Sequence, residues 1–385
     1  MPSTKPKTTI ATAALLTAGI TLLLAAEDQP HGPFQYRVPE KTNDGWETAS
    51  FSSQNMDVRL ITELLDRINT HAYTNIHSVL LVRSNKLVFE QYSPGIQPVI
   101  GETLEQEPDW NGKYQPHDRD TLHTLQSATK SVSSILIGIA IDQHLIRGVD
   151  EKISTFFSEA TGKDKIRLRH LLSMTAGLAW NEHEIPITDP RNDCNRMNHT
   201  NDPMRLLLDR SIVTAPGTKF AYNSAISVAL GEIIRKVSGI PADKFAETNL
   251  FKPLGISHPA WKGRFPNGAV HTGGGLYLRP RDMAKIGSIM LNKGRWQGKQ
   301  VVSENWVRES TTKQAPDREY GYQWWLHSFK VGEQTVKSFY AGGYGGQFIF
   351  VVPSLHLVVV STGWNPGRHG QPLDMMERYI LPAAH

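Results

Sequence analysis

The sequence has few of the features that mark disulfide-stabilised or nucleic-acid-binding proteins. Cys194 is the only cysteine among 385 residues, so no internal disulfide can form and stability must come from the core. The net charge is only +4, from 41 basic and 37 acidic residues, and no run of lysine or arginine marks a nucleic-acid-binding face. We therefore expect no nucleic-acid partner.

Motifs of two common hydrolase classes are also absent. No Gly-x-Ser-x-Gly elbow occurs, which counts against the α/β-hydrolase fold. No His-Glu-x-x-His occurs, and the acidic loop from Glu182 to His199 lacks a recognised metal-ligand spacing. Cys194 lies in this polar stretch without a predicted helix start or a basic pair that would activate it. We expect a solvated loop with an inert thiol, and a reaction that needs no metal or organic cofactor.

The N-terminal segment, residues 1–26, differs from the rest of the chain. Lys5 and Lys7 precede an uncharged apolar stretch at residues 10–26. This order predicts a secretory signal peptide. An uncleaved anchor is the alternative, because the stretch is close to the shortest length that crosses a bilayer. Either interpretation predicts an exported protein, in the bacterial periplasm or attached through residues 10–26 to the outer face of the membrane.

Strand signals lie at the two ends of the chain and helical signals lie between them. After a leader at 27–57, one domain is predicted from 58 to 385. The terminal elements are a helix at 58–70, a hairpin at 78–93, two apolar strands at 347–363 and a helix at about 373–380. Helical periodicity marks 127–144, 165–174, 203–210, 225–239, 281–292 and 303–310. The pattern predicts an α+β fold, with an antiparallel sheet built from both chain ends and a mostly helical region at about 105–311.

The clearest chemical signal is Ser127-Ala128-Thr129-Lys130 at the start of an apolar helix. Residues i and i+3 share a helix face, so Ser127 and Lys130 can exchange a proton and make a nucleophile without histidine. An N-capping serine beside a surface lysine is an equally common reason for this pattern. Ser310 and Lys313 fit the same spacing, but they lie in a polar run with no apolar helix after them.

Several further segments resemble one enzyme superfamily when they are taken together and in order. They are SATK at 127–130, HLLSMTAGL at 170–178, PGTKFAYNSA at 216–225, TGGGLYLRPRDMAKIG at 272–287 and YAGGYGGQFIFVVP at 340–353. The chain resembles the serine β-lactamase/penicillin-binding-protein superfamily over about residues 58–365. Within it, the chain is similar to class C β-lactamases, family VIII carboxylesterases, D-aminopeptidases and 6-aminohexanoate-dimer hydrolases. The resemblance implies a β-lactamase/transpeptidase-like fold.

The second motif of that superfamily is Tyr-x-Asn, and the matching segment here is Tyr222-Asn223-Ser224. The resemblance implies that Tyr222 relays protons between Ser127, Lys130 and the leaving group. Ser224 stands in the asparagine position and is expected to bind substrate with a shorter reach. The alternative is a buried tyrosine whose hydroxyl bonds a backbone carbonyl.

The third motif, Lys-Thr-Gly on an edge strand, has two candidate positions. His271-Thr272-Gly273 resembles it in letters but precedes a predicted helix, so we assign the motif to Ala341-Gly342-Gly343, which precedes the closing strands. The resemblance then implies an oxyanion hole formed by the backbone N–H groups of Ser127 and Tyr344. It also implies a substrate lying along Ala341, Gly342 and Gly343. Because Ala341 replaces a lysine that attracts a substrate carboxylate, recognition of β-lactams is doubtful.

The sequence therefore predicts an exported serine hydrolase that cleaves an ester or amide of a small molecule through an acyl-enzyme on Ser127. A β-lactamase or D,D-peptidase, an aminohexanoate-type amidase and a catalytically weak sensor remain alternatives. Four aromatic residues are expected to pack a strand on the core rather than to line an acyl pocket: Tyr320, Tyr322, Trp324 and Trp325. The oligomeric state is left open.

Overall fold

A computed structural model describes residues 35–368 and 370–385 of the chain. The strands are β1 Glu47–Thr48, β2 Ile76–Arg83, β3 Lys86–Tyr92, β4 Gly95–Val99, β5 Asp109–Gln115, β6 His123–Thr124, β7 Ala260–Trp261, β8 Leu276–Leu278, β9 Arg295–Trp296, β10 Lys299–Gln300, β11 Trp325–Val331, β12 Gln334–Gly343, β13 Gln347–Val352 and β14 Leu357–Gly363. The α-helices are α1 Val58–Asn69, α2 Thr129–Asp142, α3 Ile153–Phe156, α4 Leu168–Leu172, α5 Asp193–Asn198, α6 Pro203–Leu208, α7 Ser224–Ser238, α8 Ala242–Ala246, α9 Pro280–Leu291, α10 Glu304–Ser310, α11 Gln371–Met375 and α12 Leu381–Ala383. Short 3₁₀ turns include Gln126–Ala128, and π-helical turns lie at Glu247–Phe251 and Met376–Ile380.

The main sheet combines strands from the two ends of the chain, as the sequence predicts. Its seven strands run in the order β1-β3-β2-β14-β13-β12-β11. All neighbours are antiparallel except β1, which comes from the predicted leader and pairs in parallel with β3. The predicted α+β fold, with an antiparallel sheet built from both chain ends, is thereby confirmed.

Both faces of this sheet are buried, which explains the continuous apolar runs in its strands. Leu80 and Val360 point to the face that joins the core of the helical region, whereas their neighbours Leu81 and Val359 are buried on the opposite face. Helix α9 packs directly on the sheet at Gly287. A Cβ atom there would lie only 2.5 Å from a methyl group of Val358, so only glycine permits this approach.

Helix α1 is amphipathic and ends one residue before the predicted helix does. Its buried side chains are Ile61, Leu64, Leu65 and Ile68. Asp57 caps the helix by accepting from the Arg59 N–H, and its own N–H donates to the Ala383 carbonyl at 2.8 Å. Helix α1 thus packs against the C-terminal helical segments.

Helix α2 lies at the centre of the helical region. Every residue from Thr129 to Ala140 is buried, including Lys130 and the polar residues of the first two turns. It packs against α7, α8 and α10, so its first turn is held rigidly. The predicted helices at 165–174, 203–210, 225–239, 281–292 and 303–310 are confirmed as α4, α6, α7, α9 and α10. The β4–β5 hairpin, at the start of the region predicted as helical, was not predicted.

The predicted signal or anchor segment, residues 1–26, lies outside the described residues. Within residues 35–368 and 370–385, no helix is both long and apolar enough to cross a membrane.

Candidate active site

Ser127 lies at a tight junction between a strand and the central helix. It occupies the 3₁₀ turn Gln126–Ala128, which runs directly into α2. Gln126 has a φ of +46°, a conformation that is uncommon for a residue other than glycine and is often found at functional sites. The junction is anchored to β8, since Leu125 N–H donates to the Leu276 carbonyl at 2.9 Å. The backbone around Ser127 is therefore held in a fixed, strained conformation.

Lys130 points back at Ser127, as the three-residue spacing predicts. Its Nζ lies 3.0 Å from Ser127 Oγ and 2.7 Å from the carbonyl oxygen of Gly273. The side chain is buried, with 2% exposure, and no carboxylate in the described part of the chain forms an ion pair with it. Lys130 is therefore not a surface lysine, and it contacts a partly exposed Ser127 from a buried position.

Tyr222 completes a three-residue cluster with Ser127 and Lys130. Lys130 Nζ lies 5.1 Å from the centre of the Tyr222 ring. Burial raises the pKa of Tyr222, while the Lys130 charge and hydrogen bonds to Ser127 and Lys130 offset part of this effect. The phenol therefore keeps its proton at neutral pH. Trp325 stacks on its ring at 5.9 Å and fixes its orientation.

Ser224 is held by a carboxylate that the sequence did not place at the site. Glu182 accepts from both the backbone N–H and the hydroxyl of Ser224, each at 2.8 Å. Trp180 donates its indole N–H to the same carboxylate at 2.6 Å. The predicted substrate-binding hydroxyl is thus already engaged, and a negative charge stands at the start of helix α7. In the sequence, the one feature that pointed to Glu182 as a site residue was its place in the acidic loop.

Ala341, Gly342 and Gly343 form the last three residues of β12. The predicted edge position needs correction, because β12 is an interior strand between β11 and β13 and the sheet edge is β11. Strand β11 begins opposite Tyr340, however, so these three residues lack a partner on that side. Within the part of the chain that the structure describes, the motif is thus the stretch of β12 that lacks a strand partner on that side, and it forms a partly open edge.

Gly343 brings this open edge against the backbone that carries Ser127. A Cβ atom at Gly343 would lie 2.1 Å from the Leu125 carbonyl oxygen and 3.2 Å from the Ala128 nitrogen. The two segments that bear the predicted oxyanion donors, Ser127 and Tyr344, are therefore in contact. Only a residue without a side chain allows this approach.

The rejected third-motif candidate, His271-Thr272-Gly273, also lies at the site. Gly273 supplies the carbonyl that accepts from Lys130, and the Thr272 carbonyl accepts from Ser133 Oγ at 2.8 Å. Burial and the Lys130 charge lower the pKa of His271 to about 4, so its imidazole is neutral at pH 7. The segment positions Lys130 through its backbone.

The second Ser-x-x-Lys match does not form a pair. Ser310 is the buried last residue of α10 and donates to the Val307 carbonyl at 3.2 Å, whereas Lys313 binds Glu319 at 2.6 Å.

The thiol of Cys194 is expected to be unreactive. Contrary to expectation Cys194 lies at a helix start, in α5, but burial and the nearby Glu182 raise its pKa to about 12.

The four aromatic residues divide into two groups. Tyr320, Tyr322 and Trp324 are buried in the core as expected, but they lie before β11 rather than in a strand, because β11 begins at Trp325. Trp325 is only partly buried and stacks on Tyr222, so it belongs to the site.

The protein is a serine hydrolase in which Ser127, Lys130 and Tyr222 lie together. The family model described as Beta-lactamase matches residues 65–372, and the chain belongs to that family.

Individual relatives agree with this membership. A protein of Salmonella paratyphi B that carries the name D-alanyl-D-alanine carboxypeptidase is 22% identical, with 86% of this chain and 88% of the relative covered. A Bacillus anthracis structure that carries the name 6-aminohexanoate-dimer hydrolase is 17% identical, covers 91% and 90% of the two chains, and has a TM-score of 0.67. A family VIII carboxylesterase structure is 14% identical, covers 84% and 97%, and has a TM-score of 0.61. The two structures show similarity of fold alone.

Proposed function

We propose that this protein cleaves an ester or amide bond through an acyl-enzyme on Ser127, with Lys130 and Tyr222 as proton-transfer groups. The observation that carries the proposal is the contact of 3.0 Å between Lys130 Nζ and Ser127 Oγ, with Tyr222 against both. A buried amine next to a hydroxyl at a helix start is the arrangement that the Ser-Lys route to covalent catalysis requires.

The reaction proceeds in two balanced halves. Ser127 Oγ attacks the carbonyl carbon as its proton passes to Lys130 in its neutral form, and the oxyanion accepts from the N–H groups of Ser127 and Tyr344. Tyr222 donates a proton to the leaving alcohol or amine and is reprotonated through Lys130. Water then attacks the acyl-enzyme, gives up a proton to the same pair, and releases the acid with Ser127 restored.

The charges around Ser127 and Ser224 favour neutral or cationic substrates. Ala341 offers no positive charge, and Ser224 is occupied by the Glu182 carboxylate. A substrate carboxylate near Ser224 would be repelled by Glu182 and would find no cation in the third motif. Simple esters and linear amides fit this site better than β-lactams do.

The partly open edge at Ala341, Gly342 and Gly343 supports the same substrate class. Main-chain groups on an unpaired strand segment can bind an extended acyl chain by hydrogen bonds, in the manner of strand addition. The names of two relatives, a family VIII carboxylesterase and a 6-aminohexanoate-dimer hydrolase, belong to this ester and amide chemistry.

A cell-wall D,D-peptidase or β-lactamase is the second candidate. The carboxypeptidase name of the Salmonella relative favours it, while the loss of the lysine at Ala341 counts against it. A sensor without turnover is a weaker candidate, because Ser127, Lys130 and Tyr222 are all in contact. Export to the periplasm, with or without a retained anchor, is a proposal that rests on residues 1–26 alone.

One assay panel tests these assignments. The purified protein is expected to hydrolyse short-chain p-nitrophenyl esters, and Ser127→Ala is expected to lower kcat by a factor on the order of 10⁶. Ser310→Ala is the matched control and should keep its activity, because the Ser310 hydroxyl donates only to the Val307 carbonyl of its own helix. Unchanged turnover in Ser127→Ala would refute the mechanism.

The same panel ranks the substrate classes. A linear amide dimer and a chromogenic cephalosporin are added to the ester. Cephalosporin turnover faster than ester turnover would refute the inference drawn from Ala341 and favour the second candidate.

A further inference from the structure

A cluster of three buried histidines lies outside the hydrolase mechanism. His77 belongs to β2, His117 follows β5, and His123 belongs to β6. All three are less than a tenth exposed, and one ring nitrogen from each lies within 4.8 Å of the other two. Among the described residues, this is the one group of three or more metal-binding side chains that converges in this way. No carboxylate belongs to it.

The tautomer of His77 is determined by its neighbour Asn75. The Asn75 amide nitrogen donates to the carbonyls of Ile96 and Trp364 at 3.0 and 2.7 Å, and its oxygen accepts from the Ile96 N–H at 2.8 Å. The Asn75 oxygen, which is an acceptor, lies 3.1 Å from His77 Nε2. His77 Nε2 must therefore carry the proton, and its Nδ1 carries a lone pair.

The tautomer of His123 follows in the same way. Its Nδ1 lies 3.0 Å from the backbone carbonyl oxygen of Thr124, which can only accept, so Nδ1 carries the proton and Nε2 carries a lone pair. His77 Nδ1 and His123 Nε2 then face each other at 2.7 Å. Two lone pairs repel at this distance unless a cation lies between them.

His117 offers the third ligand. Neither of its ring nitrogens makes a hydrogen bond of normal geometry, although the residue is buried. Its ring is stacked on that of His77 at 4.0 Å, nearly parallel, so it must turn out of the stack to point a nitrogen at a shared ion. That rotation breaks no hydrogen bond of normal geometry.

We propose that His77 Nδ1, His123 Nε2 and one nitrogen of His117 bind a divalent transition-metal ion of the zinc class. Imidazole nitrogen suits Zn²⁺, Co²⁺ and Ni²⁺, whereas Mg²⁺ and Ca²⁺ require oxygen ligands. Bonds of about 2.0–2.1 Å to a tetrahedral ion place the ligand nitrogens roughly 3.3 Å apart, so His77 and His123 need to separate by only about half an ångström.

The outer hydrogen bonds of the cluster are of the kind found at metal sites. Histidine ligands of metals commonly donate their second N–H to a backbone carbonyl or another fixed oxygen, which orients the ring. Thr124 and Asn75 perform this function for His123 and His77.

The consequence of such a site is mechanical. The ion would join β2 of the main sheet to β6, and β6 leads within a few residues to the turn Gln126–Ala128. The position of Ser127 relative to the sheet would then depend on metal binding. This role is independent of the acyl-transfer steps, which need no metal.

Metal titration of the whole protein tests the proposal. Chelator-treated protein is titrated with Co²⁺, whose visible absorption reports its ligands, and with Zn²⁺ by calorimetry. One ion per chain is expected, with a higher melting temperature in its presence and no response to Mg²⁺. Failure of the folded wild-type protein to bind one ion would overturn the proposal, whatever the behaviour of the variants.

Two variants locate the ion. His117→Leu should weaken Zn²⁺ binding by at least about 100-fold. Loss of a direct ligand should cost at least as much as loss of a residue that only hydrogen-bonds a ligand, which typically costs about 10–100-fold. His199→Ala is the matched control, because His199 is an exposed histidine beside Glu107 and should leave binding unchanged. Equal affinity in a natively folded His117→Leu protein would overturn the assignment.

Discussion

Gly343→Ala tests the geometry of the site without removing any reactive group. The added Cβ would lie 2.1 Å from the Leu125 carbonyl oxygen, whereas real Cβ atoms essentially never approach closer than 3.0 Å. Both contacting atoms are backbone, and the Leu125 side belongs to the strained junction before Ser127. The end of β12 and the Ser127 turn must therefore separate by about 1 Å.

The size of the effect follows from that displacement. A misplacement of about 1 Å in a reacting group can cost about 10²-fold in rate, while overpacking typically lowers the free energy of unfolding by about 1–3 kcal/mol. We expect kcat/KM for a p-nitrophenyl ester to fall about 100-fold in Gly343→Ala. Steady-state kinetics at a temperature where the protein stays folded, checked by circular dichroism, measure this.

Gly367→Ala is the matched control for this change. Gly367 has no atom within 4 Å of its potential Cβ, so its replacement should leave both rate and stability unchanged. Wild-type activity in a folded Gly343→Ala protein would show that the close approach of β12 to the Ser127 turn is not required, and would remove Tyr344 from the oxyanion hole.

Three further changes probe the remaining groups. Tyr222→Phe should lower kcat by about 10²–10⁴-fold because it removes a proton relay, and a rate near that of wild type would exclude this role. Glu182→Gln should raise kcat/KM for a carboxylate-bearing ester relative to a neutral ester by roughly fivefold, which corresponds to about 1 kcal/mol; equal ratios would contradict the proposed repulsion. His271→Asn should flatten the dependence of stability on pH. The unfolded imidazole takes up a proton below about pH 6.5, whereas the folded one does so only near pH 4, so His271 alone should lower the free energy of unfolding by about 2 kcal/mol between pH 7 and pH 4.5. Urea unfolding at pH 7 and pH 4.5 measures this, and an equal fall in the variant would contradict the assignment.

The reactive pair was predictable because its geometry is local. A helix fixes the direction of residues three apart, so the contact between Ser127 and Lys130 follows once the apolar helix is recognised. The terminal strands were predictable for a similar reason, since runs of β-branched residues form buried strands whatever they pair with. The interior position of β12 was not predictable, because β11, the strand that forms the true edge, carries polar, partly exposed residues.

The other contacts at the site join distant parts of the chain. Gly273 is 143 residues from Lys130, and Glu182 is 42 residues from Ser224. No periodicity links such residues, and a carbonyl oxygen belongs to every residue type. The histidine cluster escaped notice for the same reason, because its members come from three separate elements.

The pairing of β2 with β14 has a consequence for how the protein folds. Ser78 and Thr362 share a hydrogen bond of 2.7 Å at the centre of the sheet, although they are 284 residues apart. Closing a loop of that size is slow, and a chain that emerges from the ribosome N-terminus first must wait for its last strands. The helical region can collapse early around α2, but the edge of β12 that covers Ser127 forms only with the C-terminal strands. Catalytic competence is therefore expected to appear as the final folding event, after most of the helical signal has already been recovered.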